Sequence, residues 1–156
     1  MKLYVLRHAE AVDRAATDAA RELTPRGLDQ ARAVGAFCQR HDLAPDLVLT
    51  SPYRRAIQTA ELFAAAFGQT PQPAPFLASG MRVATALDEL LAYQRFSSLM
   101  IVGHQPDLGD LIAALLGLPS SDNFPVGKAS LTCLQVERLV PGGAGLRFFL
   151  PSRLTA

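Results

Sequence analysis

Cysteine is scarce in this chain, whose 156 residues contain only Cys38 and Cys133, both within apolar stretches. Two cysteines in apolar stretches indicate buried, reduced thiols rather than a disulfide framework, and this predicts a reducing compartment. Metal-binding patterns are missing as well, since the sequence contains no HExxH, no CxxC and no cluster of acidic ligands. We therefore expect no bound metal.

Long hydrophobic runs are also absent. The longest apolar stretches, such as 111–116, fall well short of the roughly 20 residues that span a bilayer. After Lys2 the apolar run 3–6 is only four residues long, which is too short for the core of a signal peptide. Together with the reduced thiols, these features predict a cytoplasmic protein that has no membrane partner.

Charge of neither sign dominates. The chain has 15 Lys and Arg against 14 Asp and Glu, a net charge of +1, and the two signs are mixed along its length. The lack of a basic block argues against a nucleic-acid partner, so any anion site must depend on local arrangement. We expect a single domain over residues 1–156, because a chain of this size buries roughly 70% of its unfolded surface.

Short apolar runs alternate with stretches of helical periodicity over most of the chain. A capping hydroxyl followed by proline predicts two helix starts, at Thr24-Pro25 and at Ser51-Pro52. The alternation predicts a mostly parallel sheet between helical layers and allows one antiparallel edge. The predicted strands are 2–6, 46–50, a segment near Phe76, 98–102, 131–136 and 146–150, and the later predicted helices are 81–93 and 108–116.

Arginine and histidine follow three of the predicted strands. Arg7-His8 comes directly after the first strand, Gly103-His104 after strand 98–102, and Arg55 in the first helical turn after the second strand, where free N–H groups favour anions. Because the carboxyl ends of parallel strands share one edge of a sheet, these side chains can meet. Arginine binds phosphate oxygens through a fork of donors, and a neutral histidine can attack phosphorus. The pattern therefore predicts a phosphoryl-binding site with a histidine nucleophile.

Four groups of residues resemble the motifs of the histidine phosphatase superfamily, which also contains the cofactor-dependent phosphoglycerate mutases. Each group is weak by itself, but together they occur in family order over the first 106 residues. The short chain is most similar to the SixA-type phosphohistidine phosphatases. The matching residues are Leu6-Arg7-His8-Ala9; Leu23-Thr24-Pro25-Arg26-Gly27 with Gln30-Ala31; Ser51-Pro52 with Arg55-Ala56 and Gln58-Thr59-Ala60-Glu61; and Val102-Gly103-His104-Gln105-Pro106.

The resemblance implies roles for four residues. His8 matches the nucleophile that becomes phosphorylated, and Arg7, Arg55 and His104 match the residues that hold the phosphate. The resemblance also implies a phosphoglycerate mutase-like fold, a three-layer α/β/α sandwich, and catalysis without a metal or an organic cofactor. Neighbouring helix positions point about 100° apart, so we expect only one of Arg54 and Arg55 to face the site. The resemblance selects Arg55, and we expect Arg54 to face solvent.

The stretch 75–81 departs from the pattern of larger relatives, which supply from this region a carboxylic acid that protonates a leaving ester oxygen, and often a lid. Here the stretch contains no carboxylate, and Glu10 and Asp13 are interpreted as solvated loop residues rather than as substitute acids. Imidazole, with a pKa of about 6.5, leaves more easily than an alkoxide and needs less help from an acid. We therefore expect a phosphatase that hydrolyses phosphohistidine on a protein substrate through a covalent phosphohistidine enzyme intermediate.

Two other functions stay open. The same site could belong to a phosphomonoesterase that acts on a small phosphorylated metabolite, or to a phosphate-binding module without catalysis. The presence of both histidines and both arginines argues against the second of these. The sequence assigns no role to the residues after Gly117, including the loop 122–128, and it leaves the oligomeric state open.

Overall fold

The computed structural model describes residues 1–156 and contains six strands and four α-helices that alternate along most of the chain. None of the helices has the length and apolar character that crossing a bilayer requires. The elements are β1 (Lys2–Arg7), α1 (Pro25–Arg40), β2 (Leu47–Thr50), α2 (Arg54–Ala65), β3 (Gln72–Pro73), α3 (Val83–Leu90), β4 (Ser98–Gly103), α4 (Asp107–Leu116), β5 (Leu131–Val136) and β6 (Ala144–Leu150).

The strands form one mixed sheet in the order β3-β2-β4-β1-β5-β6. The first four of these are parallel, and β1 pairs with β4 from Lys2 opposite Ser98 to Arg7 opposite Gly103. β5 is antiparallel to both of its neighbours. The predicted mostly parallel sheet is confirmed, but the antiparallel strand lies one position in from the edge, because the β5–β6 hairpin adds two strands beside β1.

Helices cover both faces of the sheet and confirm the predicted three-layer sandwich. Along β1, Tyr4 and Leu6 belong to one core cluster while Leu3 and Val5 belong to the other, since successive side chains of a strand point to opposite faces. The first cluster is shared with α1 and α2, and the second with α3 and α4. Every position of β4 is buried, which explains its continuous apolar sequence. The two cysteines are buried and free, as predicted.

One of the two predicted helix starts is confirmed and the other is wrong. The Oγ1 of Thr24 caps α1 by accepting a hydrogen bond from the Gly27 N–H at 3.0 Å. In contrast, α2 begins at Arg54 and has no side-chain cap. The Ser51 hydroxyl instead accepts the N–H of Tyr53, the residue before α2, and lies 2.7 Å from the Nε2 of His104.

The region between α2 and β4 also differs from the prediction. Its strand is the two-residue β3, and Phe76 lies in a 3-10 helix, Pro75–Leu77. Proline lacks a backbone N–H for a sheet ladder, so the proline-rich sequence keeps this edge strand short. The predicted helix 81–93 is divided into α3 and a 3-10 turn, Leu91–Tyr93.

Candidate active site

The structure brings Arg7, His8, Arg55 and His104 together at the carboxyl edge of the sheet. β1, β4 and β2 are adjacent, so the residues that follow them share this edge. The His8 N–H donates to the Gly103 carbonyl at 3.0 Å, and the imidazoles of His8 and His104 lie 5.3 Å apart between ring centroids. His8, Arg55 and His104 are only 6%, 4% and 2% exposed. The predicted convergence of distant residues is therefore a feature of the fold.

Hydrogen bonds define the tautomer of His8. Its Nδ1 lies 2.7 Å from the carbonyl oxygen of Ala9, which can only accept, so Nδ1 carries the proton. The Nε–H of Arg55 donates to the other ring nitrogen, Nε2, at 3.3 Å. Nε2 can accept this bond only through a free lone pair. The ring is therefore neutral, and its unprotonated nitrogen faces a side chain that can bind phosphate oxygens.

Arg55, the second residue of α2, is held from a second side by Asp18. Its Nη1 donates to the Asp18 carbonyl at 2.8 Å, and its Nη2 donates to the Asp18 carboxylate at 3.2 Å. A hydrogen bond from Arg21, together with the bond from Arg55, holds the pKa of the Asp18 carboxyl below its ordinary value. The sequence analysis missed Asp18, because no local pattern in its polar loop marks a contact with a residue 37 positions away.

Arg7 reaches the loop that precedes β5. Its Nη1 donates to the Val126 carbonyl at 2.8 Å, while its buried Nε has no hydrogen-bond partner. The N–H of Ala129, in the same loop, lies 3.2 Å from the carbonyl oxygens of both Arg7 and His8. Burial lowers the pKa of Arg7, although a guanidinium stays charged in proteins. The loop after Gly117, to which the sequence assigned no role, thus positions one of the four residues.

His104 is oriented by Ser51 and by an aromatic neighbour. Its Nε2 lies 2.7 Å from the Ser51 Oγ, which also accepts the Tyr53 N–H at 3.2 Å. The Tyr53 ring packs edge-on against the imidazole, with 5.1 Å between centroids. The Nδ1 of His104 is buried without a partner, as is the Nε of Arg7. Buried polar atoms are usually satisfied, so these two nitrogens are candidate contacts for phosphate oxygens.

Both imidazoles are held in the neutral form. Burial is the main cause that lowers the pKa of His8 to about 4, with the charges of Arg55, Arg7 and Lys128 adding to it and the Ala9 hydrogen bond opposing it. Burial is also the main cause that lowers the pKa of His104 to about 3. The nearby positive charges of His8, once it is protonated, and of Arg55 lower this pKa further. Because the neutral ring is the nucleophilic form, nearly all His8 is ready to attack at neutral pH.

We expect ¹⁵N NMR of the side chains to show His8 as a neutral ring, protonated on Nδ1, from neutral pH down to about pH 4. An unperturbed histidine is protonated at about pH 6.5. Because its pKa is lowered in the folded protein, His8 is protonated only at a lower pH. A His41→Gln variant identifies the signals of His41, which lies exposed at the end of α1. Protonation of His8 near pH 6.5 would contradict the environment described above.

Other residues of the four motifs hold the loop that follows His8. Thr59, Gln30 and Gln58 each accept a backbone N–H from this loop, at 3.0, 3.0 and 2.8 Å. Gly27 allows α1 to approach the loop closely, since a Cβ at this position would lie 2.0 Å from the Glu10 carbonyl oxygen. These residues therefore support the site through the backbone.

The segment between α2 and β4 packs into the core instead of covering the site. Ala74 and Leu77 are buried in the cluster that includes β1 and β4. The Asp107 carboxylate accepts the N–H groups of Gly80 and Met81 at 2.8 and 3.1 Å, which holds the segment against α4. This part of the chain supplies neither a lid nor a carboxyl group to the site.

Two carboxylates near the site are both engaged by other residues. Glu10 accepts hydrogen bonds from the Thr24 hydroxyl at 2.9 Å and from Arg26 at 3.3 Å. Asp18 is ionised between Arg21 and Arg55. Neither therefore stands free as a proton donor beside His8.

Comparisons with known proteins identify relatives of this chain. Residues 3–79 match the family model of the histidine phosphatase superfamily (branch 1). The chain is 30% identical over 135 residues to the phosphohistidine phosphatase SixA homolog of Haemophilus influenzae, covering 80% of this chain and 82% of that protein.

Two solved structures share the fold. The protein histidine phosphatase SixA complexed with tungstate has a TM-score of 0.89 at 22% identity and covers 100% of both chains. The alpha-ribazole phosphatase of Shigella flexneri has a TM-score of 0.81 at 23% identity over 97% of each chain. These structures show the shared fold, and the relative from Haemophilus influenzae, together with the family match, shows that this chain belongs to the histidine phosphatase superfamily, among its SixA-type members.

Proposed function

We propose that this protein is a phosphatase that removes the phosphoryl group from phosphohistidine on another protein, through a phosphohistidine formed on its own His8. The observation that carries the proposal is the neutral His8 ring, whose Nε2 faces the Nε of Arg55 at 3.3 Å. Arg7, Arg55 and His104 supply hydrogen-bond donors for the phosphoryl oxygens. The family supports phosphatase activity, and the relative from Haemophilus influenzae carries the name of a phosphohistidine phosphatase.

In the first step, Nε2 of His8 attacks phosphorus while the bond between phosphorus and the substrate's imidazole breaks. The proton on Nδ1 of His8 stays hydrogen-bonded to the Ala9 carbonyl, so the phosphorylated His8 ring becomes positively charged. The substrate's imidazole, which carried this charge while it was phosphorylated and protonated, leaves as a neutral ring. One P–N bond replaces another of the same kind. The step therefore depends mainly on positioning and on stabilisation of the phosphoryl oxygens, which the two arginines and His104 provide.

In the second step, water attacks the phosphorus bound to His8 and the P–N bond breaks. The oxygen and both hydrogens of the water leave in dihydrogen phosphate, and the imidazole returns to its neutral form. The lowered pKa of His8, about 4, favours this return because the ring does not retain a proton on Nε2 at neutral pH. The proposed steps use no metal ion or organic cofactor.

The choice of a P–N bond over a P–O bond rests on the leaving group. An alkoxide is strongly basic and depends on a general acid, which contributes about 10²- to 10⁴-fold in rate. Imidazole leaves without this help because its conjugate acid has a pKa of only about 6.5. Glu10 is bound to Thr24 and Arg26, and Asp18 is ionised. The arrangement thus suits phosphohistidine better than a phosphate ester.

We expect kcat/KM for a phosphohistidine peptide to exceed that for the matching phosphoserine peptide and for sugar and nucleotide phosphates by at least about 100-fold, the lower limit for the missing general acid. Release of inorganic phosphate is measured at neutral pH and corrected for spontaneous hydrolysis. A preference for one of the esters would instead support a phosphomonoesterase that acts on a small metabolite. Tight phosphate binding without turnover of any substrate would support a non-catalytic module.

A further inference from the structure

A cationic cavity of about 560 Å³ lies beside the candidate site and includes none of its four residues. Its charged lining consists of Arg26, Lys128 and Arg153 with a single carboxylate, Glu10. Arg26 and Glu10 pair with each other at 3.3 Å. Neither Lys128 nor Arg153 takes part in an ion pair. Two cations of the cavity are therefore free to bind an anion from outside the chain.

Topology places this cavity on the side of His8 that faces away from Arg55 and His104. β1 lies between β4 on one side and β5 with β6 on the other. Because β5 is antiparallel to β1, Lys128 lies just before β5 at the carboxyl end of β1, and Arg153 follows β6 at the same edge. Adjacent strands are about 4.8 Å apart, so the cavity begins within roughly 10 Å of the end of β1.

The backbone around Lys128 is fixed to the end of β1 on both sides. The Val126 carbonyl accepts from Arg7 at 2.8 Å, and the Ala129 N–H contacts the carbonyls of Arg7 and His8. Ala129 adopts a left-handed conformation, with φ at 55°, to make this contact. The charge of Lys128 is close enough to contribute to the lowered pKa of His8. Lys128 thus borders the site and the cavity alike.

We infer that this cavity is a second anion site, which binds an acidic side chain of the substrate protein next to its phosphohistidine. The inference rests on the proposed function, because it takes the phosphoryl group to lie at His8. Residues three or four positions apart on a helix have Cβ atoms about 5–6 Å apart, and the length of a glutamate side chain covers the rest of an offset of up to roughly 10 Å. Phe149, the only large apolar residue of the lining, provides a surface for the aliphatic part of a glutamate.

The test compares two phosphohistidine peptides that differ only by glutamate or glutamine four residues after the phosphohistidine. We expect the wild-type protein to prefer the glutamate peptide in kcat/KM by about fivefold, the effect of one or two partly exposed ion pairs. Raising the salt concentration should reduce this preference. The ratio between the two peptides is the readout, since it cancels any effect of a variant on the phosphoryl chemistry itself.

Arg153→Gln and Lys128→Gln should each lower this ratio, and the double variant should bring it to about one. Lys128→Arg, which keeps the charge, should keep the preference. Arg95→Gln is the matched control, because Arg95 is exposed and lies just before β4, at the opposite edge of the sheet.

The outcomes separate the inference from the proposed function. Hydrolysis of both peptides at equal kcat/KM by the wild-type protein would overturn the inference and leave the proposed function standing. An unchanged ratio in the double variant would overturn it as well. A preference for a small ester with a second phosphate over both peptides would overturn the inference and the proposed function together. If neither peptide were hydrolysed, the proposed function would fail and the inference with it.

Discussion

Replacing His8 with alanine is expected to lower kcat by at least about 10⁴-fold, in line with the loss of other covalent nucleophiles. The substitution removes the atom that attacks phosphorus, and the proposed mechanism assigns His104 and the arginines only to binding the phosphoryl oxygens. The variant should also lose the acid-labile label that wild-type protein takes up from radioactive phosphohistidine substrate. Both quantities are measured on samples whose far-ultraviolet circular dichroism matches the wild type.

His41→Ala is the control for this experiment. His41 is the only histidine outside the site, is exposed, and stacks against Phe37 with 4.3 Å between centroids. Its replacement should leave turnover and labelling at wild-type values. A His8→Ala protein that turns over at the wild-type rate would rule out covalent catalysis through this residue.

Replacing Arg55 with lysine is expected to lower kcat/KM by roughly 10²- to 10³-fold, the range found when one preorganised donor to a developing negative charge is lost. Lysine keeps the charge but not the planar fork, so it cannot contact His8 and Asp18 at once while binding a phosphoryl oxygen. The guanidinium makes three such contacts in the structure, at 3.3, 2.8 and 3.2 Å. The measurement is steady-state hydrolysis of a phosphohistidine peptide.

The neighbouring arginine provides a matched control. Arg54 has an exposed side chain and pairs with Glu22 at 3.3 Å, as expected for a residue that faces solvent. Arg54→Lys should change kcat/KM by less than about twofold, because exposed ion pairs contribute little. Equal effects of the two substitutions, or near-normal activity of Arg55→Lys, would show that Arg55 does not contact the transferred phosphoryl group.

The convergence of Arg7, His8, Arg55 and His104 could be predicted from the sequence because strands mark their positions. Arg7, His8 and His104 each follow an apolar run, and parallel strands bring such ends to one edge. The choice of Arg55 over Arg54 followed from helical geometry and from the resemblance. Periodicity and turn residues were likewise sufficient for the mostly parallel sheet between helical layers.

The remaining parts of the site depend on contacts that no local pattern encodes. Asp18 lies in a polar loop, and its role comes from a guanidinium on α2. Val126 holds Arg7 through a backbone carbonyl, which any residue could supply. Ser51 has the sequence signature of a helix cap, but its hydroxyl contacts His104 from the neighbouring strand end. Tertiary contacts of this kind override local preference, and only the fold reveals them.

A crystal structure of the protein with vanadate tests the role of His8 most directly, because vanadate can take the five-coordinate geometry of a phosphoryl group in transfer. We expect vanadium bonded to Nε2 of His8, with its equatorial oxygens contacted by Arg7, Arg55 and His104. Vanadium bonded to His104, or bound at a place that none of the four side chains reaches, would contradict the proposed mechanism.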